Sequence, residues 1–171
     1  MENITLPVSA RSMTDRVAIL IATGLGSGYS PLAPGTAGSA LSVGLWLALQ
    51  RWFPFSLTIP AHLGLILGLT LVGIWASTRS ESWFQEVDPH QTVIDEVIGQ
   101  QITYLGLLAP VIPWKSLILG FFLFRLFDIW KPYPIRKIQD LHGGAGIVLD
   151  DVGAGIYAFL VLLAVRKFLH W

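Results

Sequence analysis

The sequence predicts an all-α integral membrane domain of about five membrane-embedded helices, with its polar site gathered at one membrane face. Three observations predict it. The 171 residues are 53% hydrophobic and only 13% charged, with a mean hydropathy of +0.63, far from the balance of soluble chains. The apolar residues fall into five runs: Ala37 to Leu49, Ala61 to Ala76, Val97 to Trp114, Ser116 to Trp130 and Val152 to Val165. Trp52, Trp75, Trp114, Trp130 and Trp171 stand near the ends of these runs, where an amphipathic indole favours the headgroup zone.

Each run is expected to be a helix, because an unpaired strand cannot satisfy its backbone in lipid and no alternating pattern suggests a barrel. Each is shorter than the roughly 20 residues that cross a bilayer comfortably. The helices therefore extend into their polar flanks, or some insert only in part. Val97 to Trp114 is the weakest, since Pro110 and Pro113 break it late, and a re-entrant course is the alternative to a full crossing. The pairs Gly38/Ser42 and Gly64/Gly68 are small-xxx-small spacings, expected to permit close packing within the domain. Residues 1–20 form a polar extension without the basic and apolar pattern of a cleaved signal. No repeat or low-complexity tract divides the chain, so residues 1–171 are expected to be one domain, with its motifs between 24 and 157.

Eleven basic and 11 acidic residues cancel. No global field attracts nucleic acid, and no nucleic-acid partner is expected. The absence of cysteine excludes disulfides, thiolate metal sites and cysteine nucleophiles together. Tracing five crossings brings every acid to one side or to a helix end facing it, whereas four crossings would split them. Basic residues outside the helices weakly favour that side as cytoplasmic.

Four constellations collect there. In Gly24 to Ser39, the glycines of Gly26-Ser27-Gly28 suggest a nest of amides, and a helix beginning near Thr36 would offer its positive end to a phosphate. The rival is a turn with Thr36 as cap. Asp95 and Glu96 are adjacent acids near the start of a helix, able to share a cation, although Thr92 with Asp95 also fits a capping box. Arg125, Asp128 and Lys131 lie at i, i+3 and i+6, one polar stripe on an aromatic helix. They read either as an internal ion pair or as a metal ligand beside phosphate-holding cations. Finally, His142 and a glycine-rich loop lead into Asp150 and Asp151. Asp150 alone would be a helix cap, but Asp151 before an apolar run implies a cation, while His142 reads as a loop residue.

Asp95, Glu96, Asp128, Asp150 and Asp151 are thus the candidate catalytic and metal-ligating acids. Gly26, Ser27, Gly28, Thr36, Arg125 and Lys131 are the candidates for holding phosphate. The combination suits oxygen-ligated Mg²⁺ and a phosphate ester.

At these motifs the chain resembles the phosphatidylglycerophosphatase A family. The matching residues are Gly26-Ser27-Gly28, Pro31 and Ala33 to Ser39; Asp95-Glu96 and Gly99; Phe124-Arg125, Phe127-Asp128 and Lys131-Pro132; and His142 to Gly144, Gly146-Ile147, Asp150-Asp151 and Ala154-Gly155. The resemblance implies an enzyme that uses Mg²⁺ to remove the terminal phosphate of phosphatidylglycerophosphate, giving phosphatidylglycerol. It also implies a bacterial-type inner membrane with the site facing the cytoplasm. Either a metal-oriented water attacks with a carboxylate as base, or an aspartate attacks first; the residues leave both open. They also leave oligomeric state open. The alternative from another class is a small cation or proton transporter using the same acids, which would spread them through the bilayer depth.

Overall fold

A computed structural model describes residues 12–52, 58–105, 107 and 113–170. Among them are seven α-helices and no strand: α1 Met13–Ala22, α2 Pro34–Trp52, α3 Ile59–Phe84, α4 Ile94–Thr103, α5 Trp114–Trp130, α6 Ile135–Gln139 and α7 Gly144–Leu169, with a single 3-10 turn at Ser27–Tyr29. The five apolar runs lie on α2, α3, α4, α5 and α7. Both α3 and α7 do extend into their flanks, reaching 26 residues each, and are apolar and long enough to cross a membrane. The third run is the exception, since α4 ends at Thr103 after ten residues. Pro110 and the residues around it lie outside the described residues, as does Trp171.

Helix ends follow from local chemistry. Ser12 caps α1 in a reciprocal capping box with Asp15, and Thr58 caps α3 ahead of Pro60 near its first position. Pro113 precedes α5, and Lys131 ends it in the left-handed region. Three sequence expectations about helix starts change. α2 begins at Pro34, so Thr36 is a first-turn residue and not the cap. Val93 is the N-cap position of α4, and Thr92 instead bonds Ser80 on α3, Oγ1 to Oγ at 2.8 Å. α7 begins at Gly144, so Asp150 and Asp151 sit in its second turn and cap nothing. The glycines there read as a loop but serve packing, for a Cβ on Gly144 would lie 2.2 Å from the Ile74 carbonyl oxygen.

The short α4 is the buried hub. Ile94, Val97, Ile98 and Ile102 join Ile66 of α3 and Val148 of α7 in one apolar cluster, and the contact between α4 and α7 is the most extensive in the fold. On another side, Tyr104 and Trp46 meet Leu117 and Leu162, with the tyrosine hydroxyl donating to the Leu117 carbonyl. α1 lies on α3 through Ala18, Ala22 and Ala76.

The outer faces are apolar. Leu63, Leu67 and Leu71 on α3, Ile118, Phe122, Leu126 and Ile129 on α5, and Ile156, Leu160 and Leu163 on α7 are all exposed at helical spacing. Apolar stripes of this extent suit a lipid environment. Trp52, Trp114 and Trp130 are exposed near helix ends, as the belt expectation requires, but Trp75 is not: α3 runs on to Phe84 and leaves it half-buried inside the helix. Gly38 and Ser42 do bring α2 against α4, through Val93 and the Val97 carbonyl. Among the described residues nothing packs against Gly64 or Gly68 on α3, so the close helix contact expected of that pair is not seen there.

Candidate active site

The site forms where the starts of α2 and α4, the end of α5 and the second turn of α7 converge. Its centre is Asp95, Glu96 and Asp151, each offering a carboxylate oxygen within 4.8 Å of the others. Asp95 and Asp151 are buried and Glu96 nearly so. Asp95 Oδ1, Glu96 Oε2 and Asp151 Oδ2 are buried without a hydrogen-bond partner. Three crowded carboxylates with orphaned oxygens repel one another in a poorly solvated place, and a cation or shared protons must offset that repulsion. The donor set, all carboxylate oxygen, is that of a hard divalent ion.

Glycine places these acids. A Cβ on Gly155 would lie 2.4 Å from the carbonyl oxygen of Gly99, and one on Gly99 would lie 2.7 Å from that of Asp151. The main chains of α4 and α7 therefore touch at Gly99 and Gly155. Asp95 and Asp151 stand four residues before these glycines, one turn along each helix. Backbone contact at the glycine level brings the carboxylates together at the level above.

The other two candidate acids sit in ion pairs. Arg125 Nη1 is 2.6 Å from Asp128 Oδ2 and 3.5 Å from Glu96 Oε1, so the guanidinium ties α5 to α4, and Asp128 in turn bears on Asp151. Lys131 lies just past α5; its left-handed backbone takes it out of the predicted stripe, and its Nζ meets Asp150 Oδ2 at 2.5 Å. The ion-pair reading of the third constellation is seen directly, and through Arg125 the pair also reaches Glu96 of the acid cluster.

The first glycine segment divides in two. The amides of Gly26, Ser27 and Gly28 donate to carbonyls of Thr23 and Gly24 within their own turn. A Cβ on Gly28 would fall 2.0 Å from the Gln91 carbonyl oxygen, so this turn clasps the strand of chain leading into α4. Gly35, by contrast, faces the acids, with the position of its missing Cβ 2.1 Å from Glu96 Oε1 and 2.9 Å from Arg125 Nη1. The first bond of the α2 ladder is donated by Ala37, which leaves the Gly35 and Thr36 amides ahead of the ladder at a positive helix end.

One residue was not found by sequence reasoning. Asp88, exposed in the loop between α3 and α4, bears on Lys131, Asp128, Asp150 and Asp95. It adopts a left-handed φ of 51°, unusual outside glycine. An Asp-Pro step in a short polar loop, Asp88-Pro89, was the available signal.

With this geometry in hand, residues 20–166 match the family model described as Phosphatidylglycerophosphatase A. The chain belongs to the phosphatidylglycerophosphatase A family. Two family members bearing that description are similar to it: one from Escherichia coli (strain K12), 36% identical over 155 residues covering 89% of this chain and 84% of its own, and one from Haemophilus influenzae, 34% identical over 148 residues covering 86% and 87%. A protein of Bacteroides thetaiotaomicron described as a putative phosphatidylinositol-3-phosphatase is 41% identical over 148 residues, 86% of this chain and 92% of its own. No solved structure matches. Membership makes the chain a phosphatase, and every candidate site residue named above falls inside the matched span.

Proposed function

We propose that this chain is a Mg²⁺-dependent phosphomonoesterase that converts phosphatidylglycerophosphate to phosphatidylglycerol, working from the cytoplasmic face of a bacterial-type inner membrane. One observation carries the metal part of that reading: three carboxylates within 4.8 Å, each with a buried oxygen lacking a partner. Asp95, Glu96 and Asp151 would hold the ion, with Asp128 and Asp150 flanking it. When bound, Mg²⁺ offsets charge on the phosphoryl oxygens.

The protein's own groups supply the rest. Arg125 and Lys131, already within the site, present a guanidinium fork and an ammonium to the non-bridging oxygens. The Gly35 and Thr36 amides add donors at the α2 start. Asp128 and Asp150 hold the two cations in place. In the net reaction, water adds to phosphorus, the ester P–O bond breaks, and the lipid alcohol leaves with a proton. The exposed apolar faces of α3, α5 and α7 support embedding of these helices, so that acyl chains stay in the bilayer while the headgroup reaches the polar end.

A second substrate reading has one specific support, the 41% identical relative described as a putative phosphatidylinositol-3-phosphatase. Nothing favours a transporter. The candidate acids gather at one constellation of helix ends, and the described relatives are named as phosphatases.

The test is phosphate release in detergent micelles from phosphatidylglycerophosphate and from phosphatidylinositol 3-phosphate, with and without Mg²⁺, for wild type and Asp95→Asn. Turnover that needs no metal, or a fully active Asp95→Asn, would remove the proposed site. Faster turnover of the inositol lipid would reassign the substrate.

A further inference from the structure

A second concavity shares α7 with the acid cluster, its Ile147 one helical turn from Asp151, and the reaction described above makes no use of it. A pocket of about 460 Å³ lies between the last turns of α3, the loop before α4 and the α6–α7 connection; its wall is largely apolar, through Val87, Leu141 and Ile147, with Glu81, Asp88, Gln139, Asp140 and His142 as its polar groups. Its size falls within the roughly 300–1,000 Å³ of small-molecule sites. Two residues join it to the reacting end. Ile147 stands one helical turn before Asp151 on α7. Asp88 lines the pocket and also bears on Lys131, Asp150 and Asp95.

Charge decides what the pocket can take. Three carboxylates in its wall repel phosphate, so neither phosphate of a doubly phosphorylated headgroup belongs there. Carboxylates and an amide oxygen accept hydrogen bonds from hydroxyls, while the Gln139 amide and the His142 ring can donate them. That set of donors and acceptors matches a neutral polyol.

We propose that this pocket is the headgroup-alcohol subsite, receiving the hydroxylated unit that links the lipid phosphodiester to the phosphate being removed, with Glu81 and Asp140 as its specificity-determining residues. The proposal rests on the lipid-phosphomonoesterase reading above. It deepens that reading by giving the enzyme a reason to prefer a polyol-linked phosphate over one attached directly to diacylglycerol. The volume exceeds that of a glycerol unit and admits a six-membered polyol ring, so the same subsite can serve either alcohol.

The experiment uses the full-length protein in detergent micelles and measures kcat and KM for phosphatidylglycerophosphate, phosphatidylinositol 3-phosphate and phosphatidic acid, which lacks the polyol. Glu81 is half-buried and Asp140 exposed, so Glu81→Gln and Asp140→Asn should fold. Each is expected to lower the kcat/KM ratio of the polyol-linked lipids over phosphatidic acid about tenfold, mainly through KM. That is the worth of one hydrogen bond to a charged group, about 1.4 kcal/mol. An unchanged ratio in both variants, or an equal fall for all three lipids, overturns the subsite. A wild type inactive on every lipid overturns the phosphomonoesterase reading itself, an outcome distinct from an active enzyme whose ratio does not move.

Discussion

Two buried polar clusters hang from opposite parts of α4, and they spend their polar atoms differently. At its start, Asp95 and Glu96 meet Asp151 and leave an oxygen on each carboxylate without a partner. Toward its end, Gln101 is saturated: its Nε2 donates to the Ser42 carbonyl at 2.8 Å and to Ser42 Oγ at 3.0 Å, and its Oε1 pairs with His62 Nε2 at 3.1 Å. Ser42 Oγ in turn donates to the Val97 carbonyl. The Gln101 cluster ties α2, α3 and α4 together by internal hydrogen bonds; among the described residues its own His62 Nδ1 is left orphaned, as are both side-chain polar atoms of the neighbouring, uncharged Gln100. Burial of polar groups alone therefore does not mark a site. Unspent bonding capacity concentrated in like-charged groups does.

The difference predicts opposite responses to substitution. Asp95→Asn and Asp151→Asn should each lower kcat by about 100-fold or more, a loss of roughly 3 kcal/mol of electrostatic stabilisation. Thermal stability in detergent without metal should hold or rise, because a repelling charge is gone. A large fall in metal-free Tm would instead place these acids in the structural class. Gly155→Ala should act on both scales, since its Cβ would press on the Gly99 carbonyl oxygen. Overpacking typically costs about 1–3 kcal/mol, and pushing α7 from α4 should cut kcat about tenfold, as paired melting and kinetic measurements would reveal. Gln101→Leu should do the reverse of the aspartate changes. It leaves His62 Nε2 without its partner and removes the two bonds from Gln101 to Ser42, costing about 1–3 kcal/mol, while activity per folded molecule stays near wild type.

Smaller effects sharpen the boundary of the site. Gly35→Ala crowds Glu96 Oε1, a side-chain end that can move, so a several-fold loss in kcat with little change in Tm is expected. Asp15 gives the smallest effect. Hydrogen bonds from Ser12, helped by Arg79, hold its carboxyl below the usual range. Such a group contributes stability above its unfolded value and loses it as pH falls through the folded value. Asp15→Asn should therefore flatten the acid limb of a Tm-versus-pH curve slightly and leave kinetics at neutral pH unchanged.

The same contrast explains what could be read from the residues alone. The apolar runs on α2, α3, α5 and α7 declare themselves because burial and lipid contact both demand hydrophobicity. α4 is cut short in a run that continues to Trp114. α1 is missed because its ten residues follow a polar segment, and α6 because five residues cannot show a period; Ile135, buried beside Phe124 and Ala154, anchors it. The doubled acids are legible as a group that the fold must bring together, since each is an expense that capping does not explain, and Asp95, Glu96 and Asp151 do converge. Their division is not: the pairing of Asp150 with Lys131 depends on the left-handed turn at Lys131, a tertiary outcome. Gly144 and Gly146 mislead because glycine serves loops and close-packed helices alike. Asp88 escapes because the charges whose field it shares, Lys131, Asp128 and Asp150, lie far from it in sequence.

The contact of Gly99 with Gly155 has a consequence for how such an enzyme lives in a fluid solvent. Where the spacing of reacting groups depends on flexible side chains wedged between helices, changes in acyl-chain length, temperature or lateral pressure retune it. Here the gauge is main chain against main chain, which has no rotamers to relax and almost no compressibility. The bundle's outer faces can meet a thinner or thicker membrane by tilting while the distance between Asp95 and Asp151 stays fixed, so the proposed site should keep its geometry as the surrounding lipid changes.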